Sequence, residues 1–230
     1  MNTRTPTWQR FLAAVGMIAT SPVMIVAGLA VRISDGRPVL YRANRVGKNG
    51  KPFVMMKFRS MARNADQHGL ISSASDARIF PVGSILRRTK VDELPQLFNV
   101  VRGEMALVGP RPEDPDIVER HYEPWMLESL TVPPGITSPG SLRYFETETS
   151  LPNSPAEAEA HYSKVALPRK ITFDLVYVRH RSTGYDLNVI FRTLLGLFGN
   201  HSSRSSFTTL EEKEAPEILE LNGYARGSAQ

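Results

Sequence analysis

The chain has 230 residues, of which 28 are Lys or Arg and 23 are Asp or Glu, and it has no cysteine. The lack of cysteine excludes disulfides and thiolate catalysis. The net charge of +5 favours anionic partners such as phosphates or an acidic membrane surface. The sequence contains no P-loop or dinucleotide-binding motif, no metal-ligand spacing of histidines and no nucleic-acid-binding fingerprint, so no nucleic-acid partner is expected.

An uncharged segment lies near the start of the chain. Residues 11–31 carry no charged side chain and are long enough to span a bilayer. A cleaved signal peptide, a straight span and a re-entrant helix are the three alternatives. The segment is longer than the usual apolar core of a signal peptide, so residues 1–35 are expected to form a membrane anchor.

The flanking charges favour a re-entrant helix. The residues before the segment are basic without an acid, and residues 32–63 are rich in Lys and Arg with Asp35 as their only acid. Because basic flanks stay in the cytoplasm, both ends are expected on that side of the membrane. Ser21-Pro22 interrupts the centre, since proline removes one backbone hydrogen bond that the Ser21 hydroxyl could replace. The sequence predicts a helix broken at Ser21 and Pro22.

A basic β-hairpin is predicted after the anchor. Residues 39–45 and 53–58 read as two strands, and Asn49-Gly50 between them is a hairpin turn signal. Lys57 and Arg59 lie on one face at the end of the second strand. They either contact a phosphate or keep a solvated strand edge from aggregating.

Two adjacent acids, Asp92 and Glu93, stand beside the basic residues Arg87, Arg88 and Lys90. Paired acids facing a cluster of cations suit chemistry on a phosphate, although a helix-capping role alone would also explain Asp92.

The helix that follows the acids can be placed from local signals. Residues 94–101 are apolar at helical spacing and are followed by Gly103, a C-terminal cap residue. Pro95 is tolerated only in a first turn. Either Asp92 is the N-cap, or Thr89 is the cap of a capping box with Asp92 as its third residue.

A strand at residues 105–108 is expected to end in a rigid Gly-Pro-Arg-Pro turn at residues 109–112. Arg111, between two prolines, is preorganised toward an anion or belongs to a surface turn. Helical patterns are found at residues 116–130 (uneven at Pro124), 155–167, 171–178 and 187–198. An irregular stretch that contains Arg143 lies between the first and the second of these. The last of these suits either a membrane surface or a core.

Several motifs occur together in this order: K-F-R-S-M at 57–61, V-D-E-L-P-Q-L-F-N-V at 91–100, and L-V-G-P-R-P at 107–112. Over roughly residues 10–200 the chain resembles the bacterial sugar transferases, the monotopic phosphoglycosyl transferases that initiate polyprenol-linked glycan assembly. The resemblance implies an α/β fold of the α+β type, with a small sheet surrounded by helices and an N-terminal re-entrant helix. Its expected divisions are an anchor at 1–35, a catalytic domain with membrane-surface helices at 36–200, and a polar tail with one marginal helix at 201–230.

The resemblance also implies a reaction. A sugar-1-phosphate would pass from a nucleoside diphosphate sugar, usually a uridine one, to polyprenol phosphate with Mg²⁺, at the cytoplasmic face of the inner membrane among its lipids. Asp92 would attack the β-phosphorus and form an aspartyl phosphosugar. Asp92 and Glu93 would hold Mg²⁺, or Glu93 would handle a proton. A homodimer is left open.

Six cations are the expected phosphate contacts: Lys57, Arg59, Arg87, Arg88, Arg111 and Arg143. Residues 138–144 depart from the family pattern, which puts sugar and base preference in doubt more than the reaction. The alternative function is a non-catalytic membrane-surface adaptor that binds anionic lipid through the basic hairpin. That alternative does not explain two acids in the most basic region.

Overall fold

The computed structural model describes residues 5–63, 65, 76–144, 155–198 and 209–224. They form a helix-rich α+β structure with two small sheets, which confirms the mixed fold class in outline. The helices in chain order are α1 Thr7–Asp35, α2 Pro81–Arg88, α3 Gln96–Arg102, α4 Pro115–His121, α5 Pro139–Tyr144, α6 Pro155–His161, α7 Leu167–His180, α8 Thr183–Phe198 and α9 Leu210–Leu221. The strands are β1 Leu40–Val46, β2 Pro52–Phe58, β3 Ala106–Val108 and β4 Gly135–Thr137.

By its length and composition, helix α1 is long and apolar enough to cross a membrane. The predicted break at Ser21-Pro22 is wrong, because the helix continues through Pro22 to Asp35. Pro22 has no N–H to donate to the carbonyl of Ile18, four residues earlier. The Ser21 hydroxyl donates to that same Ile18 oxygen (2.7 Å), so the side chain satisfies the acceptor and the helix persists.

Both ends of α1 pack on the same body of protein. Near the amino end, Ala13 lies in an apolar cluster with Met55 of β2 and Val100 of α3. Near the carboxyl end, Val31 lies in a second cluster with Phe58 of β2. Between and beyond these contacts, the opposite side of α1 exposes large apolar side chains to the surroundings: Phe11, Ile18, Ile25, Val26, Leu29 and Ile33.

The hairpin is confirmed. Strands β1 and β2 pair antiparallel from Leu40 opposite Phe58 to Val46 opposite Pro52. Asn49 and Gly50 in the connection both have positive φ, of 56° and 74°, which is the conformation that an Asn-Gly turn provides.

The Gly-Pro-Arg-Pro turn follows β3, which pairs in parallel with β4. The sequence predicted only β3 of these two strands. Strand β3 is confirmed, but β4 and α5 lie in the stretch expected to be irregular. A three-residue strand is too short to show periodicity, and its pairing is decided by a distant segment. The two backbones approach so closely that a Cβ on Gly135 would lie 2.1 Å from the Gly109 nitrogen, so this crossing requires glycine.

The predicted helices after residue 115 are present with shifted bounds. The 116–130 pattern forms α4 and a 3₁₀ segment, Pro124–Thr131, and the two patterns between 155 and 178 join through a π-helical turn, Tyr162–Ala166. Helix α8 buries Val189, while Phe191 and other apolar side chains on its opposite side are exposed, so the membrane-surface alternative stays a prediction.

One helix, α9, lies in the segment expected to be a polar tail with one marginal helix. Helix α9 begins with a capping box at Thr209 and buries Ala215 and Ile218 in the largest apolar cluster, together with Leu175 of α7. The apolar positions of α9 are hard to recognise in the sequence because glutamates are frequent among them. Packing against α7 identifies them as a buried face. Residues 199–208 and 225–230 lie outside the described part of the chain.

Candidate active site

The two acids lie in a tight helical turn that follows a chain reversal. The Thr89 hydroxyl donates to the Ile85 and Leu86 carbonyls and so closes α2, and Lys90 then takes a left-handed conformation with φ 56°. A 3₁₀ turn, Val91–Glu93, leads into α3. Neither predicted cap is correct, because the reversal at Lys90 starts the helical segment without a side-chain cap. The placement of both carboxylates at its amino end is confirmed.

Glu93 is held on both oxygens by cations. Arg111 Nη2 lies 2.7 Å from Glu93 Oε1 and Arg111 Nη1 lies 3.3 Å from Oε2, a two-pronged pairing that fixes orientation as well as distance. Lys57 Nζ, from β2, lies 3.7 Å from Oε1. Burial alone would raise the pKa of Glu93, but the charges of Arg111 and Lys57 outweigh it and hold that pKa well below its usual range. Glu93 is therefore ionised at any physiological pH.

Asp92 has the opposite environment. Its residue is 6 % exposed, and its Oδ1 has no hydrogen-bond partner among the residues that the structure describes. Burial, and secondarily the charge of Glu93, raise the pKa of Asp92 to about 6. A buried carboxylate oxygen without a partner is costly for a folded protein. Such an oxygen, basic and without a protein partner, would be stabilised by a cation or an electrophile that reaches it.

Lys57 completes this centre. Burial lowers the pKa of Lys57 to about 8, and the charge of Glu93 offsets part of that effect. The lysine is thus largely protonated at neutral pH and titrates just above it.

The other predicted phosphate contacts are placed in three different environments. Arg87 is close enough to Asp92 to lower its pKa slightly, and Arg88 is exposed in the last turn of α2. Arg59 is buried away from the acids, where it binds the Asp35 carboxylate and donates to the Pro38 carbonyl (2.7 Å). Arg59 thereby connects the carboxyl end of α1 to the end of β2. It does not share a face with Lys57, because the strand and its alternation end at Phe58.

Arg143 is likewise engaged elsewhere. It lies in α5, and its Nη1 is 3.7 Å from Glu212 of α9. The structure therefore brings Lys57 and Arg111 together with the acids and places Arg59 and Arg143 in other contacts.

Sequence reasoning missed two buried amides in the same helical segment. Gln96 is 1 % exposed, and its Nε2 has no partner among the described residues. It follows Asp92 by four residues, a spacing that places both side chains on one helix face and could have signalled it. Asn99 is also 1 % exposed and hydrogen-bonds to β2. A polar residue at an apolar helical position was the available signal.

The donor set fits a hard cation that takes most of its ligands from substrate. Among the described residues no group of three or more His, Cys, Asp or Glu side chains converges. Mg²⁺ is usually held by one or two carboxylates together with phosphate oxygens. The unpartnered Asp92 Oδ1 suits that role, whereas both Glu93 oxygens already face cations.

Fold and site together define a membrane-associated α+β protein with a buried carboxylate–cation centre. A family model described as bacterial sugar transferase matches residues 4–200. The chain therefore belongs to the bacterial sugar transferase family.

Relatives with assigned names support this membership. The chain is 34% identical over 196 residues to the UDP-glucose:undecaprenyl-phosphate glucose-1-phosphate transferase of Escherichia coli, covering 84% of this chain and 39% of the relative. It is 30% identical over 195 residues to the UDP-N-acetylgalactosamine-undecaprenyl-phosphate N-acetylgalactosaminephosphotransferase of Aeromonas hydrophila, covering 84% of this chain and 43% of that protein. It thus spans about two fifths of these two relatives. For the exopolysaccharide production protein ExoY of Sinorhizobium fredii, the identity is 32% and the coverage 80% of each chain.

Proposed function

We propose that the protein is a phosphoglycosyl transferase that moves a sugar-1-phosphate from a nucleoside diphosphate sugar, a uridine one, to polyprenol phosphate. The observation that carries the proposal is the contrast within the acid pair, since Glu93 is fully paired while the buried Asp92 keeps an unpartnered oxygen of raised pKa. The names of the relatives, which are UDP-sugar and undecaprenyl-phosphate transferases, support the general reaction.

The first half-reaction is a displacement at phosphorus. A carboxylate oxygen of Asp92 attacks the β-phosphorus, and the bond from that phosphorus to the bridging oxygen breaks. Its electron pair leaves with the nucleoside monophosphate, and the sugar phosphate stays on Asp92 as an acyl phosphate. Raised basicity from burial makes Asp92 a better nucleophile than an exposed carboxylate.

The second half-reaction regenerates the acid. An oxygen of polyprenol phosphate attacks the same phosphorus, the bond to Asp92 breaks, and polyprenol diphosphate sugar is released. Two steps suit two substrates of different phases, because the soluble donor and the membrane-held acceptor can use one site in turn. Glu93 holds Arg111 and Lys57 in place, where they offset the charge of the transferred phosphoryl group.

Mg²⁺ is proposed as the cofactor, with Asp92 as its protein-side acid in place of the expected pair with Glu93, because both Glu93 oxygens already face cations. When bound, it would neutralise charge on the diphosphate and so favour departure of the nucleoside monophosphate. We expect chelation by EDTA to abolish nucleoside monophosphate release and Mg²⁺ to restore it. Full activity in excess EDTA, with Ca²⁺ and Mg²⁺ both below detection, would contradict the metal requirement.

An apolar groove whose lining includes Pro95 supports a polyprenol acceptor. It has a volume of about 510 Å³ and is lined almost entirely by carbon atoms. Its walls come from the middle of α1, from the hairpin and from the start of the acid-bearing helix: Met17, Met24, Met56, Phe58, Pro95 and Phe98. Because Pro95 follows Asp92 by three residues, an isoprenoid chain in this groove would carry its phosphate toward the acids.

A monotopic arrangement of α1 is proposed, on the cytoplasmic face of the inner membrane. Gln9 near its amino end donates to Asp186 (2.7 Å), and the Asp35 carboxylate at its other end binds Arg59. One domain thus holds both ends, which supports a helix whose termini share one side of the bilayer. Tags at the two termini should both be accessible from the cytoplasmic side only, and opposite accessibility would establish a span instead.

The decisive experiment exposes the purified protein to a panel of nucleotide sugars without acceptor. Mass spectrometry should find a sugar-phosphate adduct on the peptide that contains Asp92, with release of one nucleoside monophosphate per adduct. The adduct identifies the donor as well. Multiple turnover only in the presence of acceptor, with no adduct under any donor, would favour direct transfer.

The lipid-binding adaptor predicts neither adduct nor product. It requires only the basic hairpin, so its membrane binding would depend on Arg42 and Lys51 and not on Asp92. A protein that binds anionic vesicles yet releases no nucleoside monophosphate from any donor would favour the adaptor.

A further inference from the structure

Asn99 of α3 connects the acid-bearing helix, meaning the helical segment 91–102 that contains Asp92 and Glu93, to β2, the strand that contains Lys57. The Met56 backbone N–H donates to Asn99 Oδ1 (3.0 Å), and Asn99 Nδ2 donates to the Val54 carbonyl (2.7 Å). Nδ2 also donates to Glu104 Oε2 (2.8 Å). One buried amide therefore satisfies a donor and an acceptor on the free edge of β2.

This pairing imitates a third strand. A carboxamide presents one acceptor and one donor side by side, as a backbone peptide group does. Strand β2 pairs with β1 on one edge, and the groups of Val54 and Met56 on its other edge are paired with Asn99 instead. Hydrogen bonds are directional, so the amide sets the position of β2 along the helix, a position that apolar packing alone leaves adjustable.

The position that Asn99 sets has a consequence for Lys57. Lys57 directly follows Met56, and Glu93 lies in the same helical segment as Asn99. The 3.7 Å separation of Lys57 Nζ from Glu93 Oε1 thus joins the same two segments that the amide holds together.

We propose that Asn99 is a positioning residue, which acts on the reaction through Lys57 by fixing β2 against the acid-bearing helix. The inference rests on the proposed function for its kinetic consequence and on geometry alone for the attachment of β2. A displacement of about 1 Å at a reacting centre can cost about 10²-fold in rate.

Kinetics of nucleoside monophosphate release test the kinetic part. Asn99→Ala should lower kcat by about 10- to 100-fold, with a much smaller change in KM for the donor. Lys57→Ala should lower kcat by about 10²-fold, and the double variant should lose no more than about threefold beyond it. Losses that multiply in the double variant would show that Asn99 acts independently of Lys57, and kcat within twofold of wild type in Asn99→Ala would overturn the proposal.

A spectroscopic measurement tests the attachment without activity. The chain has no cysteine, so a spin label on Val54→Cys, an exposed position of β2, reports that strand alone. Asn99→Ala should increase the mobility of the label, whereas Asn188→Ala, at an exposed amide on α8, should leave both mobility and kcat unchanged. An unchanged spectrum in Asn99→Ala would contradict the attachment.

Asn99→Asp covers the case in which the alanine variant fails to fold. Aspartate keeps the acceptor for Met56 but has no donor for Val54 or Glu104, so it should show the same kinetic loss with a smaller gain in mobility. Wild-type kcat and mobility in this variant would overturn the proposal. If wild-type protein releases no nucleoside monophosphate, the proposed function fails, and the spin-label comparison still decides the role of Asn99.

Discussion

Two clusters of buried charged side chains lie next to the Gly109–Pro112 turn. They differ in whether a carboxylate oxygen is left without a hydrogen-bond partner. In the first, the dyad cluster, Glu93 pairs with Arg111 and Lys57, while the neighbouring Asp92 keeps Oδ1 without a partner among the described residues.

The second, the Glu113 cluster, has its charges paired. Glu113 binds Lys170 of α7, and the Tyr162 hydroxyl donates to the same carboxylate oxygen (2.7 Å). Burial would raise the pKa of Glu113, but Lys170 and Tyr162 lower it below its usual value.

The difference separates architecture from chemistry. A buried charge with matched partners resists change because removing either partner leaves the other uncompensated. A buried carboxylate with an orphaned oxygen gains from an incoming cation or phosphorus. The Glu113 cluster therefore stabilises the turn that contains Arg111. The dyad cluster contains the side chains proposed to react, and Arg111 from that turn pairs with its Glu93.

Replacing Asp92 should give the largest effect on activity. Asp92→Asn removes the proposed nucleophile, so nucleoside monophosphate release should fall by at least about 10³-fold. Stability should stay the same or rise, because the raised pKa shows that the folded protein disfavours the charged form above about pH 6. Steady-state assays and thermal unfolding check both expectations. Asp116→Asn, at an exposed acid, is the control, and native-rate release by Asp92→Asn would rule out the covalent route.

Glu113→Gln should show the reverse pattern. It removes the ion-pair partner of Lys170, whose side chain is 4% exposed, and leaves that buried lysine with only the weaker interaction with Asp174. The free energy of unfolding should fall by about 3–5 kcal/mol. Denaturant unfolding measures it, with Glu128→Gln as a matched control, since the exposed pair of Glu128 with Arg179 contributes about 1 kcal/mol or less. Equal stability of the two variants would remove the distinction between the clusters.

Arg111→Lys tests the link between the clusters. Lysine keeps the charge but cannot contact both oxygens of Glu93, so kcat/KM should fall by about 10²-fold. The exposed pair of Arg120 with Glu159 provides the control variant, Arg120→Lys, for which no loss is expected. Wild-type kinetics in Arg111→Lys would show that two-pronged geometry is unimportant.

The pH dependence should be the smallest and most graded effect. Asp92 must be ionised to attack, so kcat/KM should rise with pH up to a limb near its pKa of about 6. It should fall again above the pKa of about 8 that burial gives Lys57, because the neutral amine no longer offsets phosphate charge. Initial rates between pH 5 and 9 measure both limbs, whose apparent values belong to interacting groups. A flat profile from pH 5 to 7 would argue against Asp92 as the nucleophile.

Local patterns revealed much of this architecture. The hairpin follows from Asn49-Gly50 between two apolar runs, and Gly103 ends α3 with the expected positive φ of 81°. The patterns were insufficient where a distant segment decides the outcome. Strand β4 exists because β3 lies beside it. The Ser21 hydroxyl, by contrast, acts locally, since it donates to the Ile18 carbonyl three residues earlier in the continuous helix α1.

The sequence by itself determined that a long apolar helix precedes a basic hairpin and that two acids stand in the most basic region. These properties depend on neighbouring residues, whose periodicity and charge can be read directly. Only the tertiary structure decided that Arg111 and Lys57 meet Glu93, that Arg59 and Arg143 do not, and that one oxygen of Asp92 is left over. Pairing between side chains 18 or 36 residues apart depends on how whole elements pack, and no local pattern encodes that choice.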